Sequence, residues 1–156
     1  MSKPDVIYLV RHAKAGERRI WDDDDEARPL SKHGWRQANA VGKRLAGKDV
    51  TELYASPYVR CVQTLEPLAD RLGTKVHIDD RLAEDRPFEG VLDLLADVTT
   101  GAVLCSHGDI IPATIQALSR RGMELQGPPD WRKATVWLLK RKGDRITKGR
   151  VWPPPN

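Results

Sequence analysis

"VIYLVRHAKAG" (Val6–Gly16) is an apolar run that stops on an arginine and a histidine, and "GAVLCSHGD" (Gly101–Asp109) repeats the arrangement late in the chain. Neither run alternates with polar residues, and both contain β-branched members, the pattern of a strand buried on both faces. Such strands belong to a parallel sheet with helices on either side, so these two stretches decide the fold class. They also raise a chemical question. A strand leaving the interior normally hands over to a bland turn, whereas here His12 and His107 stand at the exits and Arg11 precedes the first of them.

The segments between the two runs fit the same architecture. Ser31 is placed to cap a helix in "SKHGWRQANAVGKRLAGK", where Trp35, Ala38, Val41 and Leu45 recur every three or four residues and Gly47 is a stop. "TELYAS" is a short strand. It is followed by a helix in "YVRCVQTLEPLADRLG" with Val62, Leu65, Ala69 and Leu72 on one face, a kink expected at Pro67 and an end at Gly73. "KVHI" is a third strand, "VLDLLADV" a brief helix and "IIPATIQALSRRG" a longer one. "ATVWLLKRKGDRITKGRVW" reads as strand, turn and return strand, followed by an extended "PPPN" tail. "ERRIWDDDDEARP" has no period and reads as a surface loop, with the acidic run Asp22–Glu26 solvated. The expected fold is α/β: a three-layer α/β/α sandwich on a mostly parallel central sheet, as a single domain over residues 1–156.

Composition narrows the classes. At 156 residues, 40% hydrophobic and 31% charged, the chain has globular proportions and needs no disulfide or structural metal to hold a core. No apolar stretch is long enough to span a bilayer, and "MSKPDVIYLV" lacks the layout of a secretory signal, so a cytoplasmic protein is expected. Cys61 and Cys105 lie in no metal-binding pattern and are read as reduced packing residues. The formal charge of +4 suits an anionic ligand, but its dispersal argues against dedicated nucleic-acid binding. Trp21, Trp35, Trp131 and Trp152 are read as packing, with Trp21 also near enough to the expected pocket to meet a base. His33 and His77 receive no function.

In a doubly covered parallel sheet, ligands bind at the carboxyl ends of the strands. His12, His107 and Arg60, one turn beyond its own strand, then converge with Arg11 on one sheet edge. Two guanidinium groups hold phosphoryl oxygens through forked, charge-assisted hydrogen bonds. A neutral imidazole beside them is competent to attack phosphorus, and its phosphorylated form hydrolyses readily. Positioning and charge neutralisation suffice for such a transfer, so neither cofactor nor metal is expected. Lys14 and Arg18 would extend the cationic field toward a second phosphate or an acidic protein surface, or stand as ordinary solvated side chains.

"LVRHAKA", "ASPYVRCVQT" and "CSHGD", in this order, resemble the three motifs of the histidine phosphatase superfamily, also called phosphoglycerate mutase-like, with Ala13 where many members carry glycine. The resemblance runs from about Val6 to Val136. It implies that His12 is the nucleophile that becomes phosphorylated, and that Arg11, Arg60 and His107 hold the transferred group. It also implies a carboxylic acid for the departing oxygen, for which Glu84 is the candidate and Asp85 and Glu89 are rivals. The stretch between the second and third motifs is short, implying no large cap and an open pocket. Two compact branches are similar: bacterial phosphohistidine-protein phosphatases, and the phosphatase-like domain that follows a Nudix domain in some nucleotide hydrolases. No Nudix box occurs in this sequence. The expected substrates are a phosphohistidine protein, a nucleotide or a small phosphoester, with no membrane partner. The alternatives are a phospho-ligand binding module of the same fold without turnover, and an interaction protein using the basic surface and proline tail.

Overall fold

A computed structural model of the chain describes residues 5–155. The lysine of the N-terminal stretch, Lys3, and the final residue of the tail, Asn156, lie outside that range. Strand β1 (Val6–Arg11) leads through an irregular segment to helix α1 (Lys32–Ala46), followed by β2 (Leu53–Ala55), α2 (Val59–Leu72), β3 (Val76–Ile78), α3 (Glu89–Asp97) and β4 (Val103–Ser106). Helix α4 (Ile110–Arg120) precedes a two-residue strand β5 (Glu124–Leu125) and the hairpin β6 (Val136–Lys142) and β7 (Arg145–Trp152). One seven-stranded sheet results, in the order β3-β2-β4-β1-β6-β7-β5. Only β6 runs against its neighbours. All other pairings are parallel, as the apolar runs require.

Alternation along the central strands divides the interior in two. Tyr8 and Val10 of β1, Val103 and Cys105 of β4, and Val136 and Leu138 of β6 pack with Val41 and Leu45 of α1 and Leu65 and Leu68 of α2. Ile7, Leu9, Leu104, Trp137 and Leu139 face the opposite way, against Leu94 and Leu95 of α3 and Ile111 and Ile115 of α4. Both faces of the sheet are therefore covered, the layered arrangement expected from sequence. Each fully buried leucine contributes roughly 2 kcal/mol.

Local signals act where the sequence puts them. The Ser31 hydroxyl accepts the Gly34 N–H at 3.0 Å and starts α1. Gly73 ends α2 in the left-handed region at φ 66°, which costs glycine little. Pro67 lies inside α2, which continues past it to Leu72. The helices α1 and α2 cross at Gly42, where an added Cβ would stand 2.9 Å from the Leu68 nitrogen. Cys61 and Cys105 are free and buried. Pro153–Pro155 carry no regular structure and lie beside Val41 and Arg44 of α1.

Strand β5 was not apparent from sequence, because two residues carry no periodicity. The segment expected as a plain surface loop also holds two 3-10 turns, at Arg18–Ile20 and Asp25–Ala27. Among the described residues no helix is long and apolar enough to cross a membrane.

Candidate active site

The sheet register brings the two histidines together. Arg11 of β1 pairs with Ser106 of β4, and the His12 N–H donates to the Ser106 carbonyl at 3.1 Å, so both chains leave the sheet at the same level. The His12 and His107 rings meet edge to face with centroids 5.4 Å apart. Strand β2 ends alongside, its Ser56 N–H donating to the Cys105 carbonyl at 3.1 Å. Helix α2 clamps the arrangement. Thr64 Oγ1 accepts the Ala13 N–H at 2.9 Å and donates to the Arg60 carbonyl at 2.6 Å.

His12 is 5% exposed, and its Nδ1 lies 2.8 Å from the Ala13 carbonyl. A carbonyl only accepts, so Nδ1 carries the hydrogen and Nε2 keeps its lone pair. Burial holds this imidazole well below its ordinary pKa. The Ala13 bond opposes that shift, and the charges of His107, Arg60 and Arg11 reinforce it. His12 is therefore neutral at physiological pH.

His107 is fully buried and its tautomer is fixed in the same sense. The Ser56 hydroxyl accepts the Tyr58 N–H at 3.2 Å and lies 2.8 Å from His107 Nε2. The hydroxyl hydrogen has no other acceptor among the described residues, so it points at Nε2, which leaves Nδ1 as the nitrogen that carries hydrogen. Cys61 Sγ sits 3.5 Å from the same Nε2, and the Tyr58 ring packs edge-on at 4.7 Å. No hydrogen-bond partner meets Nδ1 among the described residues. Its 3.6 Å separation from Glu84 Oε1 is electrostatic proximity, beyond hydrogen-bond length.

Four guanidinium groups line the same cavity of about 200 Å³: Arg11, Arg18, Arg28 and Arg60, together with Lys133, Glu84 and Asp109. Arg11 Nη1 donates to the Trp131 carbonyl, while its buried Nε has no partner among the described residues. Its guanidinium lies flat against Gly108, where an added Cβ would approach Arg11 Cζ to 2.6 Å. Arg60 is fully buried, with Nη1 donating to the Asp25 carbonyl at 2.9 Å and Nη2 to Asp25 Oδ2 at 3.1 Å. Its Nη2 also reaches Glu84 Oε1 at 3.3 Å. The Lys133 amine is pushed down by burial and then by the charges of Arg11, Arg28, Lys14 and Arg60, the mark of a crowded cationic field.

All five residues singled out from sequence, Arg11, His12, Arg60, Glu84 and His107, are thus brought together. Ser106 Oγ donates to the Leu82 carbonyl at 2.6 Å and fixes the segment that carries Glu84. The rivals stand elsewhere. Asp85 is exposed, its N–H donating to Asp109 Oδ2 at 2.9 Å, and Glu89 is exposed in the first turn of α3.

The acidic run needs correction at one residue. Asp22, Asp23, Asp24 and Glu26 are exposed as expected, but Asp25 turns inward to Arg60 and to Arg28 Nε at 3.0 Å. Burial alone would raise its carboxyl; the Arg28 hydrogen bond and the Arg60 charge hold it below the usual range. A buried guanidinium requires a carboxylate, and Asp25 supplies it. Trp21, considered for a base contact, donates its indole N–H to the Asp24 carbonyl at 2.9 Å within its own loop. The expected openness is partial. No large cap occurs among the described residues, yet His12, Arg60 and His107 are buried, with Asp25 lying against Arg60.

Arg28, Lys133, Asp109 and Ser56 were not singled out from sequence, and Cys61 is expected there only to pack. Ser56 stands inside the quoted second motif and Asp109 closes the third, which was the available signal; Arg28 and Lys133 carry none. Among the described residues no group of three or more His, Cys, Asp or Glu is arranged to hold a metal.

Fold and site together define a class. Residues 7–89, just over half of the chain, match the histidine phosphatase superfamily (branch 1), and the chain belongs to that family. An 8-oxo-(d)GTP phosphatase of Mycolicibacterium smegmatis is 31% identical over 157 residues, covering 97% of this chain and 49% of the relative. The chain thus spans about half the length of that protein. Among solved structures, a Nakamurella multipartitia protein assigned as the phosphohistidine phosphatase SixA superposes with TM-score 0.77 at 23% identity, covering 99% of both chains. A mycobacterial glucosyl-3-phosphoglycerate phosphatase complexed with VO3 gives 0.73 at 17% identity, covering 97% of this chain and all of the other. These two likenesses establish the shared fold.

Proposed function

We propose that residues 1–156 act as one phosphatase domain that hydrolyses phosphate monoesters, phosphohistidine or nucleotide phosphates through a phosphohistidine intermediate on His12, without a metal. The observation that carries this reading is the fixed tautomer of His12: Nδ1–H on the Ala13 carbonyl, Nε2 free. In the first step the Nε2 lone pair forms the N–P bond as the bond to the leaving atom breaks, and that atom, an ester or anhydride oxygen or the nitrogen of a phosphohistidine, departs with the electron pair. In the second, a water oxygen attacks phosphorus, loses its proton, and the N–P electrons return to Nε2.

Charge neutralisation falls to groups already in place. Arg11 Nε and His107 Nδ1 are buried donors without partners among the described residues, suited to equatorial phosphoryl oxygens. Arg28, Arg60 and Lys133 add positive charge to the cavity. Glu84 Oε1 is surrounded by donors, with Arg60 at 3.3 Å, His107 at 3.6 Å and Arg18 at 4.0 Å. Its place in the cavity fits the acid for the departing oxygen, the role the resemblance implies. The family, and a relative named for phosphatase action on a nucleotide, support the reaction class.

The test is hydrolysis of p-nitrophenyl phosphate by wild type and His12→Ala. The reading requires turnover by the wild type and a loss of about 10³-fold or more in the variant. Retained activity in His12→Ala removes the proposed nucleophile.

A further inference from the structure

Beside the catalytic cavity runs a wider groove of about 550 Å³, lined by Arg11, Lys14, His33, Gln37, Arg132 and Lys133. Arg11 and Lys133 line both spaces, so the groove and the cavity adjoin at these two side chains. The groove is built on the backbone that positions the nucleophile. Lys14 lies two residues beyond His12, and its N–H donates to Gln37 Oε1 at 3.0 Å. On the other wall, the Ala134 N–H is shared by the Arg11 and His12 carbonyls at 3.1 and 3.2 Å, which holds Arg132 and Lys133 against β1.

The charge balance differs between the two spaces. In the cavity, Asp25 and Glu84 are paired with Arg60, and Asp25 also with Arg28. No carboxylate is among the residues that line the groove. Arg132 is bonded by Asp130 at 2.6 Å, but neither Lys14 nor Lys133 has a carboxylate within 4 Å among the described residues. A single transferred phosphoryl group seated at His12 leaves these cations unmatched.

We propose that the groove takes the second phosphate of a phosphoanhydride, so that the preferred substrates are di- and polyphosphates. This deepens the reading of His12 as the acceptor and rests on it. The terminal phosphoryl group moves to His12 Nε2, the bridging oxygen keeps the electron pair of the broken P–O bond, and the inner phosphate carries that charge into the field of Lys14 and Lys133. A phosphate is a good leaving group and needs little protonation. Arg11 and Lys133 line both spaces, so the inner phosphate of a molecule whose terminal group sits at His12 meets them directly.

Titration calorimetry tests the assignment with methylenebisphosphonate against methylphosphonate, on wild type and on a Lys14→Gln variant. The bisphosphonate should bind about tenfold or more tightly to wild type, and the variant should lose most of that advantage with methylphosphonate binding unchanged. Equal affinities in wild type, or an advantage that survives in the variant, overturn the proposal. So does a variant that loses turnover of a phosphohistidine protein while binding the bisphosphonate normally, since the groove would then serve a protein face. An α,β-methylene nucleoside diphosphate separates the two sources of the anhydride: tighter binding than the bisphosphonate identifies nucleotides, and equal binding identifies inorganic polyphosphate. Turnover of p-nitrophenyl phosphate by the same wild-type sample keeps the two claims apart. Turnover without a bisphosphonate advantage sinks the groove alone; an advantage without turnover of any substrate upholds the groove as a binding site and sinks the catalytic reading.

Discussion

The Ser56 hydroxyl lies 2.8 Å from Nε2 of His107 and fixes which nitrogen of that ring carries hydrogen. The hydroxyl accepts from the Tyr58 backbone and has no other acceptor for its hydrogen among the described residues, so it donates to Nε2, and Nδ1–H is left on the Glu84 side of the ring. Ser56→Ala removes the donor and frees the ring to take the other tautomer. A loss of about 10- to 100-fold in kcat/KM is expected, with partial recovery in Ser56→Thr. The pH profile should change with the substitution, which a merely structural role for Ser56 would not produce. Wild-type kinetics and an unaltered profile in Ser56→Ala would show that the relay does not matter.

Gly108 tests the placement of Arg11. Its φ lies outside the left-handed region, so alanine suits the backbone, but the added Cβ would stand 2.6 Å from Arg11 Cζ. With Nη1 held by the Trp131 carbonyl, the guanidinium cannot retreat without breaking that bond. Gly108→Ala should therefore melt within a few degrees of wild type, while kcat/KM falls about tenfold or more. Unchanged kinetics would place Arg11 outside the reaction.

The depressed pKa of His12 links stability to pH. In the unfolded chain an imidazole titrates near 6.5, whereas in the fold burial keeps His12 neutral well below that. As pH falls through about 6.5, the unfolded state takes up a proton that the folded state refuses, and the contribution of His12 to stability declines. It is fully present above that pH. Melting curves of wild type and His12→Gln from about pH 8 to about pH 5 should show wild type losing ground to the variant as the solution is acidified. A difference independent of pH would mean that His12 titrates normally in the fold.

The sequence made the strand-borne half of the site readable, and the reason is geometric. A parallel sheet aligns its strand ends, so an apolar run ending in histidine predicts where that histidine goes; Arg11, His12 and His107 follow from this directly. Arg60 and Glu84 needed the resemblance as well, since nothing local says that a helix-borne arginine is fully buried. Asp25 was misread because five successive acidic residues look solvated, and the partners that draw one of them inward, Arg28 and Arg60, become its neighbours only after folding. Lys133 stands at the entrance to β6 with no pattern around it. Its place beside the site comes from the antiparallel pairing of β6 with β1, which sequence periodicity does not report.

The central claim is that phosphate rests covalently on His12 during turnover. Rapid acid-free quenching of wild type with a ³²P-labelled substrate, followed by peptide mapping, tests it most directly. The account predicts an acid-labile, base-stable label on the peptide containing His12, carried on Nε2 and released on longer incubation. A label on any other residue, or steady turnover with no label at any quench time, would contradict it.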